Sequence, residues 1–369
     1  MHSIETLRRA PLWSILAPLA GLAVFAAKAA HLVPEVGLFD LVASALLIAC
    51  VFASVRHAEA VAAKVGEPCG ALLLALAVTC IEAGLIVSLM LADPDKNQTL
   101  ARDSLFSVVM IVLNGLIGLS LVIGDWRNHR AEFRTAGTSG ALVTLATLAV
   151  LTLVLPNFTA AAPGPRFSAP QLIFVSLSAL ALYLVFVFVQ SVRHPLDFLG
   201  DAELSMGAAQ DEARDALSLR RTLFNLLLLV VSLSSVVLVA KGLTPAFEAA
   251  AAAVGLPQEV IGIAVAALVL LPESISAIRA AIMDRTQTSL NLAIGSALAS
   301  LGLTVPVVAA AALLTGAPLT LGVDPLNMAL LLLTLFVSTM TLGLGRATVL
   351  QGAVHLTIFF VFLAFSIFH

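Results

Sequence analysis

The sequence predicts an all-α polytopic membrane protein with 11 transmembrane helices: an N-terminal helix plus two inverted five-helix repeats. Three observations predict it. First, of 369 residues 60% are hydrophobic and 11% charged, where a soluble domain carries about 25% charged residues. Second, the apolar residues fall into runs of about 20, the length that crosses a hydrocarbon core roughly 30 Å thick. Third, two of those runs carry a glutamate at matching depth, in segments that correspond to one another. Little chain is left for a soluble domain, and a net charge of −3 offers no basic surplus for nucleic acid. Cys50, Cys69 and Cys80 lie within or at the edge of apolar runs. With no CxxC or Cys/His spacing, neither a disulfide framework nor a resident metal is expected.

Taken in order, the runs lie near 12–33, 38–55, 68–91, 104–124, 138–156, 171–192, 222–241, 258–279, 288–314, 326–343 and 348–368. The first could be a secretory signal, given Arg8-Arg9 and the small residues that follow. Its length favours a retained helix. Gly, Pro, Asn and Asp collect in the short connections, as turns require. The stretch 193–221 is different: six acids and four arginines divide the chain after six helices, and it reads as a solvated tether. The resulting domains are 1–37, the N-terminal helix; 38–192, the first five-helix repeat; 193–221, a cytoplasmic linker; and 222–369, the second repeat. With the N-terminus cytoplasmic, 14 of the 19 Lys and Arg fall on the inner side, a strong positive-inside bias. Eleven spans then put the C-terminus in the periplasm.

Most acids sit in loops or near helix ends. Glu82 and Glu273 do not, being the fifteenth and about the sixteenth residues of their spans. A carboxylate near mid-bilayer costs about 2.5 kcal/mol or more, so such residues usually face a cavity and carry function. The two belong to a repeat. Gly66-Glu67-Pro68 opens the third span and Gly255-Leu256-Pro257 precedes the eighth; each Glu follows its Pro by 14 or 16 residues. Each span leads into a helix rich in small and hydroxyl residues, DSLFSVVMIVLNGLIGLSLVIG from Asp103 and NLAIGSALASLGLTVPVV from Asn291. The third span runs outward and the eighth inward, so the repeats are inverted. That arrangement places a substrate site at the midplane between the two halves of a secondary transporter.

The neighbouring chemistry is oxygen-based. Thr79 is one turn before Glu82 and Ser276 one turn after Glu273, each on its glutamate's face. Pro272 has no N–H, so the Leu268 carbonyl loses its helical partner and, with that of the adjacent Val269, is a candidate backbone ligand. Ser107, Ser296, Ser300 and Thr304 add hydroxyls, although small residues also serve simply for helix packing. Carboxylates, carbonyls and hydroxyls suit hard cations, Ca2+ first and Na+ or K+ less selectively. His355, the histidine deep in a span, reads as helix packing; without a second deep histidine a bis-His haem is not expected. His57, beside Arg56 at the end of the second span, reads as solvated.

These residues resemble a known pattern. RHAEAVAAKVGEPCG before Glu82, LPES around Glu273, NLAIGSALASLGLTVPVV and GRATVLQGAVHL together resemble the calcium/cation antiporter superfamily, and within it the bacterial ChaA-type antiporters. The resemblance covers essentially the whole chain. It implies ten core helices plus one N-terminal helix, and exchange of Ca2+, or in this subgroup Na+ or K+, for H+. It maps the two central carboxylates onto Glu82 and Glu273, a supporting hydroxyl onto Ser296, and more loosely another onto Ser107. Typical members carry Gly-Asn before each Glu, where this chain has Val78-Thr79 and Val269-Leu270, and His after the second, where it has Ser274. Fewer amide ligands imply a broader cation range.

The expected function is therefore antiport rather than enzymatic: a bacterial inner-membrane protein exporting Ca2+, and also Na+ or K+, against protons. Two rivals stand beside it. An intramembrane enzyme using paired acids would need a nucleophile or phosphate loop that the sequence does not offer, and a passive cation channel would need no proton-trapping acids. Expected partners are inorganic cations, protons and membrane lipid, with no cofactor and no obligate protein partner. The charge count makes a first prediction: a reporter fused after His369 reads periplasmic and one within 193–221 cytoplasmic. Both on one side would refute the eleven-span topology.

Overall fold

Eleven apolar helices follow one another in the computed structural model, which describes residues 11–30, 32, 37, 39–65, 69–128, 131–198, 219–255, 257 and 259–368. They are α1 (Leu12–Ala29), α2 (Phe39–Val65), α3 (Cys69–Ala92), α4 (Leu100–Trp126), α5 (Thr135–Phe158) and α6 (Ala169–Arg193). After the linker come α7 (Leu219–Val254), α8 (Glu259–Ile282), α9 (Thr286–Thr315), α10 (Pro325–Leu342) and α11 (Val349–Ile367). Among the described residues ten are long and apolar enough to cross a membrane; the apolar stretch of α3, Leu76–Ala92, is shorter. The one sheet among them is a two-stranded antiparallel ribbon, β1 (Ala131–Glu132) with β2 (Arg346–Ala347). The Gly66-Glu67-Pro68 motif, Arg8-Arg9 and most of the acidic linker lie outside the described residues.

Packing divides the chain into two units, Met1–Leu89 with Ser205–Leu256, and Met90–Leu204 with Pro257–His369. In the first unit α1, α2 and α7 pack on one another. Proline chemistry explains part of this. Pro18 inside α1 has no N–H, which strips the Ser14 carbonyl of its helical donor; His57 Nε2 reaches that oxygen at 3.1 Å. His57 Nδ1 meets Asn225 Oδ1 of α7 at 2.9 Å. The expectation of a solvated His57 is thus corrected: the ring is fully buried. The helix does not stop near residue 55 but continues to Val65, with His57 satisfied inside the unit instead of marking an exit. One turn on, Cys50 Sγ donates to Ala17 O and Ser235 Oγ to Pro18 O. At the far end Lys28 pairs with Asp40 and donates to Gly242 O. α3 joins the unit through a small apolar cluster of Ala58, Ala77 and Leu229.

The second unit is tied together at both ends. At one end Thr320 N donates to Gln98 O, Gly322 N to Pro165 O, and Asn157 Nδ2 to Val323 O. At the other end lie the ribbon and Asp125, which accepts from the first N–H of α11. Helix starts are marked by caps: Ser168 with Gln171, Thr348 with Gln351, and Asp324, which accepts from Leu326 and Asn327 N–H. Part of the predicted tether is not solvated. Phe198 is buried, sets its ring edge-on to Phe186 at 5.9 Å, and gives its carbonyl to Asn291, while Arg134 holds Leu196 O.

Among the described residues four spans contain π-helical turns, two of them in mid-span: Ile111–Leu116 in α4 and Ser300–Thr304 in α9. Gly302 lies in the latter, where an added Cβ would stand 2.4 Å from Tyr183 Cβ. Gly295, two turns earlier, has nothing within 4 Å of that position. Gly302→Ala should therefore lower the melting temperature in detergent clearly, while Gly295→Ala should leave it unchanged or raise it slightly.

Candidate functional site

Each glutamate is placed by its own helix. Glu82 stands on α3 in the first unit with no exposed surface, between Ile81 and Ala83, both buried. Thr79, one turn earlier on the same face, is also buried. Gly84 keeps the backbone close to α7: a Cβ there would stand 2.7 Å from Val237 Cγ2. A largely apolar sequence makes this stretch helical, and Gly84 sets the face opposite Glu82 against α7.

Glu273 belongs to the second unit and is half-buried on α8. Val269 is buried and Leu268 half-buried one turn earlier, and Pro272 lies inside the helix. The missing Pro272 N–H leaves the Leu268 carbonyl without a helical donor. Ser276, one turn after Glu273, is exposed, and its hydroxyl donates to the Pro272 carbonyl at 2.9 Å.

Helix geometry brings Ser296 to the depth of Glu273. α8 and α9 form an antiparallel hairpin whose turn centres on Asp284, held at φ 62°, a left-handed conformation that Asp tolerates better than most residues. Residues equidistant from such a turn are level. Eleven before Asp284 is Glu273; eleven after is Gly295, beside Ser296, which is half-buried. Ser300 and Thr304 continue along α9 and are buried.

A second register comes from α4. Gly262, near the start of α8, lies against Asp103 near the start of α4, where a Cβ would stand 2.8 Å from Asp103 Cβ. Contacts continue through the π turn into the rest of α4, so the two helices run parallel. Eleven residues on from each contact residue, Glu273 and Asn114 are about level. Ser107, buried and donating to Asp103 O at 2.5 Å, stands about two turns nearer the start of α4. Asp103 itself is buried and accepts from Arg102 Nε at 2.7 Å.

Asn114 was not among the expected residues. It is fully buried and bonds to Thr334 Oγ1, and His355 joins it. Its signal in the sequence was an amide in the middle of an apolar run, in MIVLNGLIG, which looks like turn chemistry when read locally. Cys50 is buried and Cys80 exposed, neither in a disulfide.

Ten membrane-length apolar helices among the described residues define an integral membrane protein. The sodium/calcium exchanger protein family matches residues 37–192 and 224–368. The chain belongs to that family, and is a cation exchanger and not an enzyme. It is 50% identical over 357 residues to the putative ionic transporter y4hA of Sinorhizobium fredii, covering 96% of both chains. It is 33% identical over 351 residues to the sodium-potassium/proton antiporter ChaA of Escherichia coli, covering 95% of this chain and 94% of that one. Among solved structures the fold resembles native YfkE, with a TM-score of 0.71 at 17% identity over 96% of this chain and 100% of that chain. It also resembles the H+/Ca2+ exchanger CAX, with a TM-score of 0.66 at 16% identity over 94% and 88%.

The two serines near Glu273 make opposite predictions. Ser296→Ala should weaken apparent cation affinity several-fold, since one neutral hydrogen-bonding group is worth about 1 kcal/mol. Ser276→Ala should leave it unchanged, Ser276 being exposed where Ser296 is half-buried. Cation titrations of transport by both variants check this, and equal behaviour would refute the assignment.

Proposed function

We propose that the protein is a cation/proton antiporter of the bacterial inner membrane, exporting Ca2+, and also Na+ or K+, as protons enter. The N-terminus is cytoplasmic and the C-terminus periplasmic. Two glutamates, each deep in an apolar span of one repeat, carry this reading. Glu82 is buried completely and Glu273 by half, and a carboxylate is retained at such depth only for a strong functional reason. The relative from Escherichia coli, named a sodium-potassium/proton antiporter, matches nearly the whole chain.

In this reading the glutamates, one from each repeat, bind either a cation or protons. Charge decides it: two buried carboxylates repel each other, so the pair is stable when a cation or protons compensate it and costly when bare. Thr79, Ser107, Ser296 and the carbonyls of Leu268 and Val269 supply neutral oxygens, ligands that Ca2+ shares with Na+ and K+. The loaded pair is exposed alternately to the two sides, and the obligation to be filled by one or the other couples the fluxes.

Glu82→Gln and Glu273→Gln should each reduce cation-driven proton movement in everted vesicles to background while the protein still inserts. Gln keeps the size but can neither release a proton nor balance a cation. Apparent cation affinity should fall as pH falls, because protons fill the same oxygens, and saturating cation should relieve the loss. Cation added to purified wild type should acidify a weak buffer somewhere in roughly pH 6–9, with the release lost in both Gln variants. Cation binding without proton release would end the antiport reading, and cation flux without obligatory coupling would leave a channel.

A further inference from the structure

α4 changes register in its middle, and one buried polar chain holds the change in place. The π turn Ile111–Leu116 contains Asn114. Its Nδ2 donates to Thr334 Oγ1 at 2.9 Å and also faces Met110 Sδ at 3.7 Å. That commits the amide nitrogen and leaves Oδ1 as an acceptor, with His355 Nδ1 at 3.3 Å. Nδ1 therefore carries the proton, and Nε2 is the acceptor for the Thr341 hydroxyl at 3.2 Å. The His355 ring also faces the Leu113 carbonyl, inside the same π turn. Asn114, Thr334 and His355 have no exposed surface. α11 is brought this close by glycines: an added Cβ at Gly118 would stand 3.1 Å from Gly352 O, and one at Gly352 would stand 2.9 Å from Gly118 O.

A π turn is an inserted residue in an α-helix, and it persists only where something fixes it. Were it to revert, every residue on one side would rotate by about 100° around the axis of α4. α8 packs along this part of α4, with Glu273 about level with Asn114. We propose that His355, in its Nδ1–H form, is a positioning residue for the cation site, holding the π turn of α4 in register beside α8 through Asn114. The inference rests on the reading of Glu273 as a cation ligand. His355 touches neither the transported cation nor the transported proton; it fixes the surface against which the Glu273-bearing helix is set.

The test uses full-length protein in proteoliposomes, with whichever of Ca2+, Na+ and K+ drives proton movement in wild type. Leu at 355 fills the space without a donor. Asn places an amide N–H near the position of Nδ1 and keeps the bond to Asn114, whereas the amide of Gln lies further out and does not. His355→Leu and His355→Gln should raise the half-saturating cation concentration about five- to tenfold, as loss of one buried hydrogen bond allows, with the maximal rate within about twofold of wild type. His355→Asn should stay within about twofold in both. A merely structural role would lower the amount of folded protein and the maximal rate without this split. If His355→Leu does not insert, His355→Asn against His355→Gln decides alone. An unchanged half-saturation in His355→Gln, or an equal shift in His355→Asn, overturns the proposal. Failure of the antiport reading looks different: wild type would then show no coupled movement, or Glu273→Gln would move protons normally.

Discussion

In hydrocarbon there is no water to complete a broken hydrogen bond, so every backbone and side-chain polar group must find its partner within the protein. This constraint accounts for the helices, and also for the irregularities inside them. Pro18 leaves one carbonyl without its donor, and a histidine from the neighbouring helix replaces that donor. Hydroxyls follow the same logic: Ser54, Thr152, Ser232 and Ser366 each return a hydrogen bond to the carbonyl four residues earlier. Such hydroxyls are satisfied by their own helix and need no ligand.

Against that background the carboxylates are distinctive for their cost. A serine can be made neutral to its surroundings by one backbone bond; a carboxylate needs a counter-charge or a proton. Three acids among the described residues illustrate different solutions. Asp40 is matched by Lys28 and Asp103 by Arg102, each near a helix start. Glu273 is set by the α8–α9 hairpin at the level of Gly295 and Ser296. Near the helix starts, then, fixed cations compensate the acids.

The spans and the two glutamates were legible because each is a property of local sequence. A run of twenty apolar residues has one physical outcome in a bilayer, and a charge inside it stands out without any knowledge of neighbours. Boundaries were less legible where a polar residue is satisfied by a distant helix: His57 looked like an exit from the membrane because Ser14 and Asn225 are 43 and 168 residues away. The π turns left no mark on composition at all. Asn114 was hidden for the same reason, its partners Thr334 and His355 being 220 and 241 residues downstream. The acidic linker read as solvated from its charge, yet its opening residues are ordered by one phenylalanine, which charge counting ignores. Ser296 was visible as a motif, and the hairpin is what sets it level with Glu273.

The N-terminal helix has a consequence for anyone attaching a label to this protein. α1 is joined to α2 and α7 at three successive levels, from His57 through Cys50 and Ser235 to the Lys28–Asp40 pair. With bonds spread along its whole length, it has no hinge of its own within the unit. A fluorophore or spin label on its surface would therefore report the motion of the first unit as a body and not the local wobble of a loose terminus. Distances measured from it would carry the geometry of the helices beneath.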